Sequence, residues 1–183
     1  YPHLKNNLQN ILIDSTGLPN AIHFPLTALS THNGVSSEEV RLTYVAQLGT
    51  SLPVYFQYDP GNVLDKSLLV NVIKNLEALG INTSEIIFDA GFSTLVNLTE
   101  CLESGIDFIT RLAPNYILYR EAAEEASVDL VSDDNAVTFS QRLLYIRKIV
   151  RYISGKPVFV YVGLDEKERH TQLTTLLTSA KSQ

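Results

Sequence analysis

Two aspartates, Asp14 and Asp89, stand in the same sequence context and could together hold a metal ion. Each follows three apolar residues, at 11–13 and at 86–88, and each precedes a turn of small residues. A short apolar run of this kind is typical of a buried strand. If the two strands are parallel neighbours, the carboxylates meet at one edge of a sheet, and oxygen ligands favour Mg²⁺ or Mn²⁺ over Zn²⁺. The alternative, that each aspartate only begins a turn, stays open on this pattern alone.

The elements that would position these aspartates alternate between strands and helices. Alternating and β-branched runs predict strands, and apolar residues on one helical face predict helices. The predicted strands lie at 11–13, 40–48, 52–58, 86–88 and 108–112, and the predicted helices at 68–79 and 94–103, the second burying Leu95, Leu98 and Leu102. Residues 15–33 are predicted to be irregular. The order strand, hairpin, helix, strand, helix, strand favours a mixed α/β sheet.

Four other residues are interpreted structurally. Arg41 is predicted to face solvent on its strand, and Asp65 to cap the helix that follows it, with a place near the metal site as the alternative for Asp65. Gly61 is assigned to turn geometry. Cys101, the only cysteine among 183 residues, lies among helical leucines and is assigned to the core, so the chain forms no internal disulfide.

Composition limits the class of protein. With 45% hydrophobic and 19% charged residues, the chain is a folded domain rather than a disordered or fibrous one. A net charge of −6 argues at first against a protein that tracks DNA phosphates. No apolar run is long enough to cross a membrane. The absence of methionine, with an abrupt start at Tyr1, leads us to expect a fragment of a longer protein.

The charge is unevenly distributed, which predicts a boundary near residue 113. Residues 1–112 hold 5 basic and 11 acidic residues, whereas 113–183 hold 9 of each. We therefore predict a core over 1–112, a mostly β insertion over 113–165 and the start of a helix leading back to the core over 166–183. The insertion carries a basic stretch composed of Arg142, Arg147, Lys148, Arg151 and Lys156. It is either a solvated face that balances the preceding acidic run, or a DNA-binding strand pair in which tyrosines pack against sugar or base.

Six runs, in this order, resemble the DDE catalytic domain of bacterial insertion-sequence transposases. They are ILIDSTG (11–17), EVRLTYV (39–45), PVYF (53–56), PGNVLD (60–65), IFDAGF (87–92) and DFITRL (107–112). The resemblance covers about residues 10–112, and 113–183 only by general architecture. It implies an α/β fold, namely an RNase H-like mixed sheet with flanking helices, interrupted by a mostly β insertion.

The same resemblance implies an activity and its partners. Asp14 and Asp89 map onto the first two catalytic aspartates, which with a third carboxylate would bind two Mg²⁺ (or Mn²⁺) ions. The reaction would be phosphodiester cleavage at the ends of an insertion element, followed by strand transfer into target DNA. The partners would be element-end and target DNA and further copies in a dimer or higher assembly, with no membrane, in the bacterial cytoplasm at the nucleoid.

The chain departs from the family at the third carboxylate. The family places that acid in a Tyr-x-x-Arg-x-x-x-Glu-x-x-x-x-x-x-Lys motif, and none of the 9 tyrosines here has arginine three residues later. Glu166 and Glu168 are fallback candidates, so the third ligand is left unknown and the chain alone is expected to be inactive. Two other functions stay open: a non-catalytic remnant acting as a DNA-binding or dimerisation scaffold, and a haloacid-dehalogenase-like phosphatase with Asp14 as nucleophile.

Overall fold

A computed structural model describes residues 10–20, 24–32 and 35–181 of the chain. The chain divides into two compact units, Tyr1–Ala113 and Pro114–Gln183. The division falls next to the boundary predicted from the charge distribution. Each unit has its own sheet, and each is described by itself below.

The first unit is built on a mixed sheet of six strands. They are β1 (Asn10–Pro19), β2 (Ala28–His32), β3 (Val35–Gln47), β4 (Pro53–Pro60), β5 (Glu85–Phe88) and β6 (Asp107–Thr110). The order is β2-β3-β1-β5-β6, and β4 pairs with β3. β3 runs antiparallel to β1 and β4, whereas β1, β5 and β6 are mutually parallel neighbours. This is the RNase H-like mixed α/β arrangement, so the predicted fold class is confirmed.

Two helices cover one face of this sheet. Helix α1 (Leu69–Ala78) buries Leu69, Val72, Ile73 and Leu76, which share one helical face, and the chain leaves it through Gly80 at φ 72°. Helix α2 (Leu95–Glu103) begins at Thr94, whose side chain accepts a hydrogen bond from the Asn97 backbone N–H.

The prediction that α2 buries Leu95 is wrong, because Leu95 is exposed. Leu98 is buried as predicted and Leu102 is half-buried, and Asn97 and Cys101 complete the buried face. Asn97 is drawn inward because its amide donates to the Phe92 carbonyl at 2.7 Å and to the Lys66 carbonyl at 3.1 Å. A buried amide that satisfies two loop carbonyls thus sets the rotation of the helix.

The prediction that residues 15–33 are irregular is wrong for 15–19 and 28–32, which are strands; residues 20 and 24–27 are irregular as predicted, and 21–23 and 33 lie outside the described residues. Strand β1 continues past Asp14 to Pro19, because β3 pairs with it over the whole length from Ile11 to Pro19. Only the pairing with β5 stops at Ile13. Strand β2, at Ala28–His32, then pairs antiparallel with the first half of β3. The second half of β1 depends on a partner distant in sequence, which a local apolar pattern does not reveal, whereas β2 pairs with the segment that follows it in the chain.

The second unit packs helix α3 (Ile117–Ser127) on an antiparallel sheet of β7 (Ala136–Phe139), β8 (Arg142–Ile153) and β9 (Lys156–Asp165). Two-residue turns with positive φ join the strands, at Ser140-Gln141 and at Ser154-Gly155. The small core contains Ala122 and Ala126 of α3 and Ile149 of β8. The prediction of a mostly β segment omitted α3. This helix buries only Ala122 and Ala126, and the acidic residues around them hide its apolar face in the sequence.

Helix α4 (Glu166–Lys181) follows β9 directly, in agreement with the predicted helix start. Over the residues that the structure describes, no helix is long and apolar enough to cross a membrane.

Candidate active site

Asp14 and Asp89 lie on adjacent parallel strands at the same level of the sheet. The last register pair of β1 and β5 joins Ile13 to Phe88, and each aspartate is the next residue along its strand direction. Ile13 and Phe88 are buried on the helix-covered face, so the alternation of a strand directs both aspartates away from that face. Both aspartates are exposed to solvent. Neighbouring strands are separated by about 4.8 Å, so the register brings two carboxylates together at one end of β5.

Local backbone groups hold each carboxylate. The backbone N–H of Ser15 donates to Asp14 Oδ1 at 2.8 Å, and the backbone N–H of Gly91 donates to Asp89 Oδ1. The hydroxyl of Thr110, at the end of β6, donates to the Asp89 backbone carbonyl at 3.3 Å. The turn after β5 is therefore fixed both to its own aspartate and to the neighbouring strand.

A buried polar group lies next to this pair, and the sequence analysis missed it. Arg41 on β3 is only 6% exposed, so the prediction that it faces solvent is wrong. Its Nη1 donates to Asp65 Oδ1 at 2.9 Å and to the Ser15 hydroxyl at 3.2 Å. Asp65 also accepts a hydrogen bond from that hydroxyl. Asp65 is thus not the helix cap predicted for it: it begins a short 3₁₀ turn (Asp65–Ser67), and the N-cap of α1 is Leu68, without a side-chain cap bond.

The sheet register explains why Arg41 is buried. Ser15 pairs directly with Thr43, and Gly17 with Arg41, so these residues share the face of Ile11 and Ile13. In the alternation of β3, the polar side chains are therefore the ones that face the helices. The register with β1 is the signal that would have found Arg41, and it cannot be read from β3 alone.

Two glycines make room for Glu39, which is also buried. Glu39 Oε1 lies 3.9 Å from Arg41 Nη2. A Cβ on Gly17 would lie 2.4 Å from a carboxylate oxygen of Glu39, and a Cβ on Gly61 would lie 2.2 Å from its backbone carbonyl oxygen. Gly61 lies in the predicted turn, but it has no positive φ, so it is the close approach to the backbone of β3 that requires glycine there.

The aspartate pair fits part of a divalent cation site. Two exposed carboxylates on adjacent strands offer the oxygen ligands that Mg²⁺ and Mn²⁺ prefer. Across residues 10–20, 24–32 and 35–181, however, no group of three or more His, Cys, Asp and Glu side chains could hold a metal ion. Glu166 and Glu168 belong to the second unit, at the start of α4, where Glu166 pairs with Arg169 at 3.3 Å.

The basic stretch of the second unit divides between the two faces of its sheet. Arg147 pairs with Asp129, just after the end of α3, and Arg151 pairs with Glu125 on α3 at 2.6 Å. Arg142 pairs with Asp165 at 3.1 Å. Arg147 and Arg151 thus pair with acids of the preceding acidic run, as the first of the two interpretations expects, whereas Arg142 pairs with an acid outside that run. Lys156 begins β9 and is exposed.

Lys148 lies on the opposite face of the sheet, among exposed aromatic side chains. Its ammonium lies 3.6 Å from the centroid of the Phe159 ring. The register places Lys148 opposite Tyr161 and Val150 opposite Phe159, and Tyr152 alternates onto the same side. Tyr152, Phe159 and Tyr161 are 71%, 57% and 63% exposed. We call this surface, made of Lys148, Val150, Tyr152, Phe159 and Tyr161, the aromatic face.

Cys101 is part of the core, as predicted. Its side chain is fully buried, and burial, with a smaller contribution from Glu100, raises the pKa of the thiol from 9.0 to about 12. A thiol that stays protonated at neutral pH is a poor nucleophile, so Cys101 has no part in the site.

The family model described as the transposase DDE domain matches residues 8–176. This chain belongs to the DDE transposase family. The predicted resemblance is thereby confirmed, and the match runs through both units. Full-length members of the family cleave DNA and transfer its strands, and they generally use divalent metal ions. The phosphatase alternative is wrong, since the family model identifies a transposase DDE domain, and β1 lies in a mixed sheet, antiparallel to β3 and parallel to β5, rather than in an all-parallel one.

Solved transposase structures are similar to this DDE domain at low identity. The piggyBac transposase synaptic complex with hairpin DNA is 16% identical with a TM-score of 0.49, over 86% of this chain and 33% of that one. The Drosophila P element transposase strand transfer complex is 13% identical with a TM-score of 0.35, over 76% and 33%. The Mos1 transposase paired-end complex is 12% identical with a TM-score of 0.37, over 69% and 44%. The DDE domain described here thus spans less than half of each of these chains, and no curated protein matches it.

Proposed function

We propose that this chain is the catalytic DDE domain of an insertion-sequence transposase, with Asp14 and Asp89 as its first two catalytic and metal-binding carboxylates. The observation that carries the proposal is the register of β1 and β5, which puts these two residues side by side just after the Ile13–Phe88 pair. Family membership supports the reaction class, which is cleavage of a phosphodiester bond and strand transfer into target DNA.

Asp14 and Asp89 would hold Mg²⁺ or Mn²⁺, two ions in the complete site. When bound, such ions activate the attacking water or 3′-hydroxyl and stabilise the leaving oxygen. The protein itself fixes the two carboxylates. The Ser15 backbone N–H holds Asp14, and the Gly91 backbone N–H holds Asp89, whose backbone carbonyl also accepts a hydrogen bond from Thr110. Both then present oxygens to solvent, where a DNA phosphate can approach.

Plasmid nicking tests this proposal. The longest polypeptide encoded by the reading frame is incubated with supercoiled plasmid and Mg²⁺ or Mn²⁺, as wild type, Asp14→Asn and Asp89→Asn. We expect either substitution to abolish nicking. Asp107→Asn is the matched control, because this exposed aspartate begins β6, at the opposite end of the parallel strands. Nicking that persists in both active-site variants would overturn the catalytic assignment.

The 183-residue chain by itself is proposed to be inactive, because its sequence lacks the Tyr-x-x-Arg motif that carries the third carboxylate of the family. We expect no nicking by this chain with Mg²⁺. Robust cleavage that depends on Asp89 would contradict this part of the proposal. If the full polypeptide is also inactive yet binds DNA, the scaffold alternative replaces the enzyme.

DNA binding by the second unit is proposed to use the aromatic face, with Lys148 as its cation. Exposed aromatic rings can stack on bases or pack on sugars, and a lysine among them can neutralise a phosphate. The ion-paired Arg142, Arg147 and Arg151 are then structural, and Lys156 is a further candidate contact. The partners are element-end and target DNA on the bacterial nucleoid, bound by a dimer or higher assembly.

Salt dependence separates Lys148 from the arginines. In the full polypeptide, Lys148→Ala should lower the slope of log affinity against log salt by about 1. Arg151→Ala, whose charge is paired with Glu125, should leave the slope unchanged. An unchanged slope in Lys148→Ala, or an equal loss in both variants, would contradict the assignment.

A further inference from the structure

We propose that Arg41 and Asp65 are positioning residues, which together fix the strand of Asp14 to the turn of Asp89 and thereby set the affinity of the two carboxylates for a divalent cation. This inference rests on the proposed role of Asp14 and Asp89. Neither Arg41 nor Asp65 is assigned to the metal itself.

One oxygen of Asp65 is hydrogen-bonded to the strand that carries Asp14. Asp65 Oδ1 accepts from the Ser15 hydroxyl and from Arg41 Nη1, the latter at 2.9 Å. Ser15 follows Asp14 directly, and its backbone N–H donates to Asp14 Oδ1 at 2.8 Å. Ser15 therefore connects the partly buried Arg41–Asp65 ion pair to the first carboxylate: its side chain bonds the pair, and its backbone N–H bonds Asp14.

The second oxygen of Asp65 lies against the Asp89 turn. A Cβ added to Gly91 would lie 2.9 Å from Asp65 Oδ2 and 3.3 Å from Asp89 Oδ1. The two carboxylates thus approach the same glycine, whose N–H donates to Asp89. Asp65 is therefore the side chain that touches both halves of the proposed site.

Arg41 makes this arrangement electrostatically possible. Asp65 would otherwise add a third negative charge beside Asp89. Arg41 Nη1 bonds the Asp65 oxygen, and Nη2 lies 3.9 Å from Glu39. The planar guanidinium, itself almost fully buried, therefore directs the Asp65 carboxylate through a hydrogen bond and offsets the charge of the nearby Glu39. Groups of this kind, which orient metal ligands without binding the metal, typically change metal affinity by about 10- to 100-fold when they are removed.

Mn²⁺ binding to the 183-residue chain, followed by electron paramagnetic resonance, tests the proposal. Asp65→Asn keeps the shape of the side chain and removes its charge, and Arg41→Gln removes the cation. We expect each to weaken Mn²⁺ binding about 10-fold or more. Arg41→Lys, which keeps the charge, should recover part of that loss, and Asp107→Asn should bind as wild type.

A purely structural role predicts another pattern. The variants would then lower the thermal unfolding temperature, but the folded protein would bind Mn²⁺ as wild type does. Gly91→Ala is a second variant that leaves the ion pair intact and pushes a methyl group toward Asp65, so it too should weaken Mn²⁺ binding. If Asp65→Asn, Arg41→Gln and Gly91→Ala all bind Mn²⁺ within twofold of wild type while Asp14→Asn loses it, the positioning role is refuted. Unchanged binding in Asp14→Asn and Asp89→Asn would instead refute the proposed metal site.

Discussion

Replacing Gly61 with alanine should destabilise the first unit, because its Cβ would collide with the backbone of β3. The new atom would lie 2.2 Å from the Glu39 carbonyl oxygen and 2.8 Å from the carbonyl carbon, far inside van der Waals contact. Neither atom belongs to a side chain that can rotate away, and Val40, the next residue of β3, is paired with both β1 and β4. Relief therefore requires a shift of the sheet itself.

The expected cost follows from two opposing effects. Forcing an extra methyl group into a packed site costs about 1–3 kcal/mol, and more when backbone must move. Alanine restricts the unfolded chain and returns about 0.4–1 kcal/mol. Because backbone must move here, the upper cost of about 3 kcal/mol applies, which leaves a net destabilisation of about 2–2.6 kcal/mol and a fall in Tm of roughly 8–20 °C for a unit of this size.

Urea and thermal unfolding followed by circular dichroism measure this effect. Gly163→Ala is the matched control, since a Cβ there meets nothing within 4 Å and Gly163 has no positive φ. That variant should unfold within about 0.5 kcal/mol of wild type. If Gly61→Ala is as stable as Gly163→Ala, the close approach of Gly61 to β3 is not a feature of the folded protein.

Three further substitutions or reactions probe the two units. Phe92→Ala should cost about 3–5 kcal/mol, because the ring is buried and packs edge-to-face on Phe88; a loss under 1 kcal/mol in urea unfolding would contradict this packing. Cys101 should react with a thiol reagent at pH 8 only after unfolding, and rapid labelling of the native chain would contradict its burial. Because the folded protein raises the pKa of this thiol from 9.0 to about 12, the free energy of unfolding should fall as the pH rises from 9 to 12. Arg151→Ala should cost only about 0.2–1 kcal/mol, and less in high salt, because its partner Glu125 is half-exposed; a loss that salt does not change would contradict an ion pair.

The parts of the fold that could be predicted are those that a short stretch of the sequence indicates by itself. The runs before Asp14 and Asp89 are apolar and short, so they indicate buried strands whatever their partners. The helix ending at Gly80 combines an apolar face with a residue that adopts φ 72° freely. These signals were sufficient for a mixed sheet and for the buried strand residues before each aspartate, but not for the continuation of β1 past Asp14 to Pro19.

The parts that the sequence did not predict depend on pairing between distant strands. The polar alternation of β3 indicates a solvent face for Arg41, yet the pairing of Arg41 with Gly17 turns that face toward the helices. Asp65 has the position of a cap but finds a buried arginine as its partner. A one-residue difference of register reverses every side chain of a strand, so no local pattern could have assigned these two residues.

Mn²⁺-induced broadening of backbone amide resonances in the 183-residue chain tests the central claim most directly, because it reports where a divalent cation binds even when it binds weakly. The account predicts selective broadening at Asp14, Ser15 and Asp89 through Gly91, lost in Asp89→Asn and kept in Asp107→Asn. Broadening that is spread evenly over the acidic surface, or that survives in Asp89→Asn, would contradict a metal site formed by Asp14 and Asp89.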